Sequence, residues 1–140
     1  FGATHFINPQ PQSGDFVEQL RALTDGGVDY SFECVGSTKL MVHALECTHP
    51  GWGVCTTLGV PPDGEKLPIL PFELQLGRTL KGSFLGNVKT RSQLPGLLDL
   101  YAEGQINLDD LVTHRLPVER INEGFDLLRE GRSVRTVVTF

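Results

Sequence analysis

Apolar positions along the first two-thirds of the chain switch repeatedly between helical spacing and short continuous runs. After Asp15, the apolar residues Phe16, Leu20 and Leu23 share one helical face. A continuous run of strand type follows, and a glycine comes soon after it. Strand, glycine and helix recur in this order, which predicts βαβ units with parallel strands. The predicted elements are strands over residues 4–7, 28–34, 53–58 and 79–85, and helices that begin at Asp15 and Ser37.

The pattern changes beyond residue 60, where prolines and a glycine interrupt it. Leu67, Pro68, Ile69 and Leu70 form a short segment of extended type with another proline directly after it. Proline cannot donate a ladder hydrogen bond, so this segment is predicted at a sheet edge or between subunits. The fold class is therefore α/β, a parallel sheet with flanking helices. The remaining predicted elements are helices that begin near Thr90 and at Val118, and a strand over residues 135–140.

Composition narrows the class of protein. A length of 140 residues suits one domain with a real core. The net charge of −5, with 12 scattered basic residues, argues against nucleic-acid binding. No apolar stretch approaches the roughly 20 residues that a membrane span needs. The cysteines Cys34, Cys47 and Cys55 lie in apolar contexts, which suits a reducing compartment, so we expect a soluble, cytoplasmic protein.

The ends of the predicted strands carry the candidate chemistry. Ligands of open parallel sheets bind outside the carboxyl ends of the strands. Gly36, Gly59 and Gly86 lie at three such ends, and at two of the three a missing side chain would let a flat ligand approach the backbone. Each glycine alone is typical of a turn, but three aligned strand ends favour a nucleotide-type crevice. Arg135, at the start of the last strand, is either a ligand for an anion in that crevice or a surface arginine.

Other signatures are incomplete in this sequence. No G-x-G-x-x-G motif lies between a strand and a helix, and GWG at 51–53 precedes a strand instead. Cys47 and His49 are the only close Cys–His pair and have no third ligand nearby, so no metal site is predicted. No serine has a nucleophile-elbow context. The residues alone therefore indicate the cofactor-facing half of an α/β domain, without catalytic or metal-binding residues.

Eight ordered blocks give the chain a family resemblance: FGAT at 1–4, GGVDYSFE at 26–33, GWG at 51–53, LGVPP at 58–62, GRT at 77–79, VTH at 112–114, INEGF at 121–125 and SVRTVV at 133–138. Together they resemble the C-terminal part of zinc-dependent medium-chain alcohol dehydrogenases. The nearest group is the class that contains S-(hydroxymethyl)glutathione dehydrogenases. The resemblance implies the second half of a Rossmann-type coenzyme domain plus the C-terminal segment, together spanning residues 1–140.

The resemblance also implies what the parent enzyme contains. Its cofactor would be NAD, and its zinc ligands, glycine-rich loop and ribose-binding acid would lie before Phe1, whose surroundings read as the end of a helix. The parent would oxidise an alcohol or S-(hydroxymethyl)glutathione by hydride transfer to NAD. We expect the isolated chain to be inactive, because it lacks those parts.

The resemblance further implies NAD-binding positions, most of them at the predicted strand ends. Leu58, Gly59 and Val60 would line the nicotinamide, and the backbones of Leu58, Ser83 and Leu85 would hold its carboxamide. The adenosine would be bordered by Cys34, Val35 and Gly36. The pyrophosphate would be contacted by Arg135. Leu85, Asn87 and Cys34 depart from the residues common in relatives, so substrate specificity is not carried over.

The resemblance implies a homodimer that pairs through Leu67, Pro68, Ile69 and Leu70. Two alternatives stay open. The chain is instead a non-catalytic binding or dimerisation module if it forms a stable folded dimer without affinity for NAD. The zinc-free quinone-reductase branch shares the coenzyme fold, but the blocks above belong to the zinc branch. The coding sequence upstream of Phe1 distinguishes a fragment from a stand-alone module.

Overall fold

The computed structural model describes residues 1–8 and 15–140. These residues form two compact units. The larger unit is Ala3–Val88, and the smaller is Lys89–Phe140 together with Phe1–Gly2. Each unit has its own parallel sheet and its own buried residues.

The larger unit contains a three-stranded parallel sheet with the strand order β1-β2-β3. Each strand is reached from the previous one through a segment that contains a helix, as parallel pairing requires. The predicted parallel α/β arrangement is thus confirmed. In chain order the elements are α1 (Phe16–Leu23), β1 (Tyr30–Glu33), α2 (Thr38–Glu46), β2 (Val54–Thr57), α3 (Pro71–Gln75) and β3 (Thr79–Gly82).

Capping side chains fix where α1 and α2 begin. The Asp15 carboxylate accepts hydrogen bonds from the backbone N–H groups of Val17 at 2.8 Å and Glu18 at 3.4 Å. Ser37 Oγ accepts one from the Leu40 N–H at 3.4 Å. Each bond satisfies a helix donor that has no partner within the helix. Both predicted helix starts are confirmed.

The core of the larger unit lies between α2 and the sheet. Met41 and Leu45 on α2 are buried, and Leu45 and Cys55 of β2 are completely inaccessible to solvent. A fully buried leucine contributes about 1.5 to 3 kcal/mol relative to an exposed one. The α2 helix is therefore held to the sheet by its own apolar face, and its N-terminus is fixed beside the end of β1.

Two arginines hold the other end of α2. The Arg21 guanidinium donates to the Glu46 carbonyl at 3.1 and 2.7 Å. The Arg78 side chain is only 2% exposed, donates to the Thr48 carbonyl at 2.9 Å and forms an ion pair with Glu73 at 2.6 Å. Positive charge at a helix C-terminus is favourable, because the last carbonyls carry partial negative charge.

The smaller unit is built around a parallel pair of strands joined by a helix. Leu116 on β4 and Leu127 on α5 are its buried apolar residues. Gly124 lets α5 lie close to the sheet, since an added Cβ would stand 3.3 Å from Thr136 Cγ2. The elements of this unit are α4 (Thr90–Ala102), β4 (His114–Pro117), α5 (Ile121–Arg129) and β5 (Thr136–Thr139), with 3-10 turns at Asp109–Leu111 and Val118–Arg120.

The prediction of a strand over residues 4–7 is wrong, because these residues form no helix or strand. A strand needs a hydrogen-bonded neighbour, and none of the described residues pairs with this segment. Residues 67–70 likewise belong to neither sheet. The strand predicted over residues 79–85 ends at Gly82. Within the described ranges, no helix is both long and apolar enough to cross a membrane.

Candidate functional site at the carboxyl edge of the sheet

The parallel register aligns the ends of three strands. Glu33 pairs with Thr57, and Thr57 pairs with Gly82. The segments that follow these residues leave the sheet from one edge. We call residues 33–37, 58–60 and 83–87 the carboxyl edge. The predicted cofactor-binding residues that lie here are Cys34, Val35, Gly36, Leu58, Gly59, Val60, Ser83 and Leu85.

Gly36 and Gly59 bring two of these segments into direct backbone contact. A Cβ on Gly59 would clash with the backbone nitrogen of Gly36 and lie 2.7 Å from Glu33 Oε2. A Cβ on Gly36, whose φ is +88°, would lie 2.7 Å from the carbonyl carbon of Val60. The space beside these glycines is therefore filled by protein. The prediction that these positions are glycine so that a ligand can approach is therefore corrected: they are glycine because protein backbone lies against them.

The Glu33 carboxylate organises the first segment of the edge. Glu33 is only 4% exposed, and its Oε1 accepts from the N–H groups of Val35 at 2.9 Å, Gly36 at 2.8 Å and Ser37 at 3.2 Å. Its Oε2 accepts from Gly36 at 3.1 Å. Its backbone carbonyl accepts from the N–H groups of Leu58 at 2.8 Å and Gly59 at 3.0 Å.

Sequence reasoning gave Glu33 no role, although a signal was present. An acidic residue closes a run of strand type, and a glycine and a helix-capping serine follow within four positions. A buried carboxylate at a strand end needs several donors, and the amides of such a turn supply them.

Several backbone groups at the ends of β2 and β3 have no hydrogen-bond partner among the described residues. The N–H groups of Leu58 and Ser83 donate within the sheet, to Glu33 and to the Thr57 carbonyl at 2.9 Å. Among the described residues, no donor reaches the carbonyl oxygens of Leu58 and Ser83, and no acceptor reaches the N–H of Leu85. Open donors and acceptors, these three groups among them, thus remain for a ligand at the ends of β2 and β3. A carboxamide, with its NH2 group and its carbonyl, has the complementary groups.

Around these backbone groups the edge is apolar and open. The side chains of Val35, Val60, Phe84 and Leu85 are between 72% and 78% exposed, and Leu58 is 38% exposed. Clustered exposed apolar side chains mark binding surfaces more often than scattered ones do. Apolar walls with a few directed polar groups are typical of cofactor sites.

The end of β3 continues into a left-handed turn. Leu85, Gly86 and Asn87 have φ values of 49°, 67° and 55°. Leucine rarely adopts this conformation, which costs about 1 to 2 kcal/mol for a residue with a Cβ. Strain of this kind concentrates at functional sites, and here it determines the direction of the Leu85 backbone.

Arg135 lies in the smaller unit, outside the group of residues that the larger unit brings together. It directly precedes β5 and is exposed. Its carbonyl accepts from the Thr113 N–H at 3.0 Å. It also lines a groove of about 240 Å³ together with Phe125, Leu128 and Val138.

The three cysteines are free thiols. Burial raises the pKa of Cys47 to about 11, and burial also raises the pKa of Cys55. Both thiols are therefore held in the unreactive neutral form at neutral pH. Cys34, at the carboxyl edge, is exposed. Across residues 1–8 and 15–140, no three His, Cys, Asp or Glu side chains gather in a way that could hold a metal ion.

A parallel sheet with open backbone groups at its carboxyl edge is the arrangement of dinucleotide-binding α/β domains. The comparison with known families agrees with this class. The zinc-binding dehydrogenase family model matches residues 1–103, and the chain belongs to that family.

Curated relatives identify the branch. The chain is 48% identical over 141 residues to the class-3 alcohol dehydrogenase of Dictyostelium discoideum, covering 99% of this chain and 37% of that protein. It is 45% identical over 138 residues to the class-3 alcohol dehydrogenase of Pisum sativum, and the match covers 99% of this chain and 36% of that protein. The chain thus spans little more than a third of these relatives and matches their C-terminal part.

Solved structures share the fold. Benzyl alcohol dehydrogenase from Acinetobacter calcoaceticus matches with a TM-score of 0.87 at 28% identity, covering 98% of this chain and 37% of that one. An alcohol dehydrogenase zinc-binding domain protein from Burkholderia ambifaria matches with a TM-score of 0.85 at 28% identity. The match covers 99% of this chain and 37% of that one. The family and the Rossmann-like α/β fold expected from the sequence are both confirmed.

Proposed function

We propose that this chain is the coenzyme-facing part of an NAD-dependent, zinc-type alcohol dehydrogenase and that it binds NAD at the carboxyl edge. The observation that carries the proposal is the set of open backbone groups at Leu58, Ser83 and Leu85, surrounded by exposed apolar side chains. These groups match the donors and acceptors of the nicotinamide carboxamide.

The residues present fit this cofactor. The carbonyls of Leu58 and Ser83 accept from the carboxamide NH2 group, and the Leu85 N–H donates to its oxygen. Gly59 and Val60 line the nicotinamide, whereas Cys34, Val35 and Gly36 border the adenosine. For Arg135, which lies in the smaller unit, the family resemblance alone supports a role at the pyrophosphate. Bound NAD provides the hydride acceptor, and the chain's own residues orient its ring.

We propose that the zinc of the parent enzyme is held by residues other than those the structure describes here, among which no three possible ligands gather. We propose that the whole protein oxidises an alcohol, or S-(hydroxymethyl)glutathione, and that the 140-residue chain alone has no such activity. The similarity to class-3 alcohol dehydrogenases supports an alcohol as the substrate.

Calorimetric titration with NAD tests the binding proposal. Val60, 78% exposed at the edge, is replaced by Glu so that a carboxylate faces the cofactor. Leu23, 60% exposed at the end of α1, is replaced by Glu as the matched control. We expect Val60→Glu to weaken NAD binding at least tenfold, about 1.4 kcal/mol, and Leu23→Glu to leave it unchanged. Equal effects of the two variants, or no saturable heat with the unmodified chain, would contradict the proposal.

We further propose that the parent is a cytoplasmic homodimer that pairs through Leu67, Pro68, Ile69 and Leu70. Leu70 is 64% exposed, and the segment joins neither sheet of its own chain. The three free thiols support a reducing compartment. Sedimentation of the chain and of Leu70→Asp tests the pairing, because the charge would favour the monomer. A dimer that fails to bind NAD would favour the alternative of a non-catalytic dimerisation module.

A further inference from the structure

The turn between β1 and α2 has the form of an anion-binding nest. Its amides at Val35, Gly36 and Ser37 converge on one point, and Gly36 has a φ of +88°. Successive N–H groups in such a turn, next to a helix N-terminus, bind phosphate in many proteins. Here the point of convergence is occupied by Glu33 Oε1 of the same chain.

We propose that Glu33 is a specificity-determining residue that prevents this turn from binding phosphate. Its carboxylate uses the three amides that would otherwise bind an anion. Glu33 cannot easily withdraw, because Oε2 also binds Gly36 at 3.1 Å and lies against Gly59. The cofactor therefore meets the β1 end with an uncharged nucleoside and places its phosphates elsewhere.

The negative charge of Glu33 also opposes phosphate binding, in addition to the hydrogen bonds by which its carboxylate occupies the three amides. The residue is 4% exposed, so water screens its negative charge poorly, and a phosphate close to the turn is repelled. An adenosine ring carries no charge and packs on exposed Val35 without this penalty. The identity of adenosine as the bound group rests on the proposed function. The absence of phosphate binding is inferred from the turn alone, whose amides Glu33 already occupies.

Amide NMR on the 140-residue chain tests the inference, with inorganic phosphate alone and adenosine alone as separate probes. In the unmodified chain we expect adenosine, but not phosphate, to give saturable shifts at Val35, Gly36 and Ser37. In Glu33→Ala the amides are free, so phosphate should give saturable shifts at Val35, Gly36 and Ser37 that the unmodified chain does not show. Adenosine should bind more weakly in this variant, because the turn loses its support.

Glu65→Ala is the matched control. Glu65 is exposed and its Oε2 accepts a hydrogen bond from Thr38 Oγ1 at 3.0 Å, so it lies near the same helix start without touching the amides of the turn. Removing its charge should create no phosphate site. Equal gains in Glu33→Ala and Glu65→Ala would overturn the proposal, because net charge would then explain both.

Glu33→Gln covers the case in which Glu33→Ala does not fold. The amide oxygen still fills the turn, but the hydrogen bonds lose their charge assistance. The amide protons of residues 35–37 should therefore shift upfield, and phosphate should still give no saturable shifts. Unchanged amide shifts, or saturable phosphate binding to the unmodified chain, would overturn the inference. If adenosine fails to bind while the phosphate results hold, only the proposed function is contradicted.

Discussion

Gly36 and Gly59 face each other between the ends of β1 and β2, with no space for a side chain on Gly59. The contact joins the two segments that we propose as the adenosine and nicotinamide borders. It also places Gly59 against Glu33 Oε2. The geometry of the site therefore depends on packing between loops as much as on the sheet that carries them.

We expect Gly59→Ala to destabilise the larger unit by about 3 kcal/mol, because the methyl group meets backbone atoms that cannot rotate away. Urea unfolding measures the change. Gly82→Ala is the matched control, since a Cβ there would meet only Thr57 Oγ1, at 3.9 Å. A loss for Gly59→Ala no larger than that for Gly82→Ala would show that the two segments separate easily.

Arg78→Met should lower the free energy of unfolding by about 3 to 5 kcal/mol, the usual result of breaking a buried ion pair. The substitution leaves Glu73 without its cation and the Thr48 carbonyl without its donor. Glu18→Gln removes an exposed ion pair with Arg21 and should cost less than about 1 kcal/mol. If both variants unfold at the same urea concentration, the Arg78 contacts do not hold α2 in place.

Leu85→Gly should stabilise the chain by about 0.5 to 1 kcal/mol. Glycine removes the cost of a positive φ, about 1 to 2 kcal/mol, although it also gives the unfolded chain more freedom. The leucine side chain is 72% exposed, so little packing is lost. Leu85→Ala keeps the backbone strain and is the control. Greater stability of the alanine variant would contradict a strained turn.

Thiol labelling at pH 8 should modify Cys34 quickly and leave Cys47 and Cys55 protected until the chain unfolds. The Cys47 pKa of about 11 in the folded state exceeds the ordinary value of 9.0, so the folded state favours the neutral thiol. The stabilisation is complete below pH 9 and is lost as the pH rises towards 11. Urea unfolding across this range should show a fall that Cys47→Ala reduces. Fast labelling of three thiols in the folded chain would contradict the burial.

The parallel order of β1, β2 and β3 was predictable, because a strand-glycine-helix pattern permits few other pairings. The starts of α1 and α2 were also predictable, since Asp15 and Ser37 are helix-capping residues in front of apolar stripes. These signals are local and lie within a few residues of the feature that they determine.

Other features depend on contacts between distant residues. Residues 4–7 have the composition of a strand, but strand formation also requires a neighbour. The need for glycine at positions 36 and 59 arises from their mutual approach across 23 residues of sequence, which no local pattern reveals. Glu33 was overlooked for a different reason: its signal is local, but only the folded turn shows that the amides of residues 35–37 converge on its carboxylate.

The most direct test of the central proposal is the map of amide shifts that NAD produces in the 140-residue chain. Within the larger unit, we expect saturable shifts confined to the carboxyl edge, at residues 33–37, 58–60 and 83–87. The opposite ends of the same strands, near Val28, Gly53 and Arg78, should be unaffected. Shifts centred on those opposite ends, or no saturable shift at all, would contradict the assignment of the carboxyl edge as the NAD site.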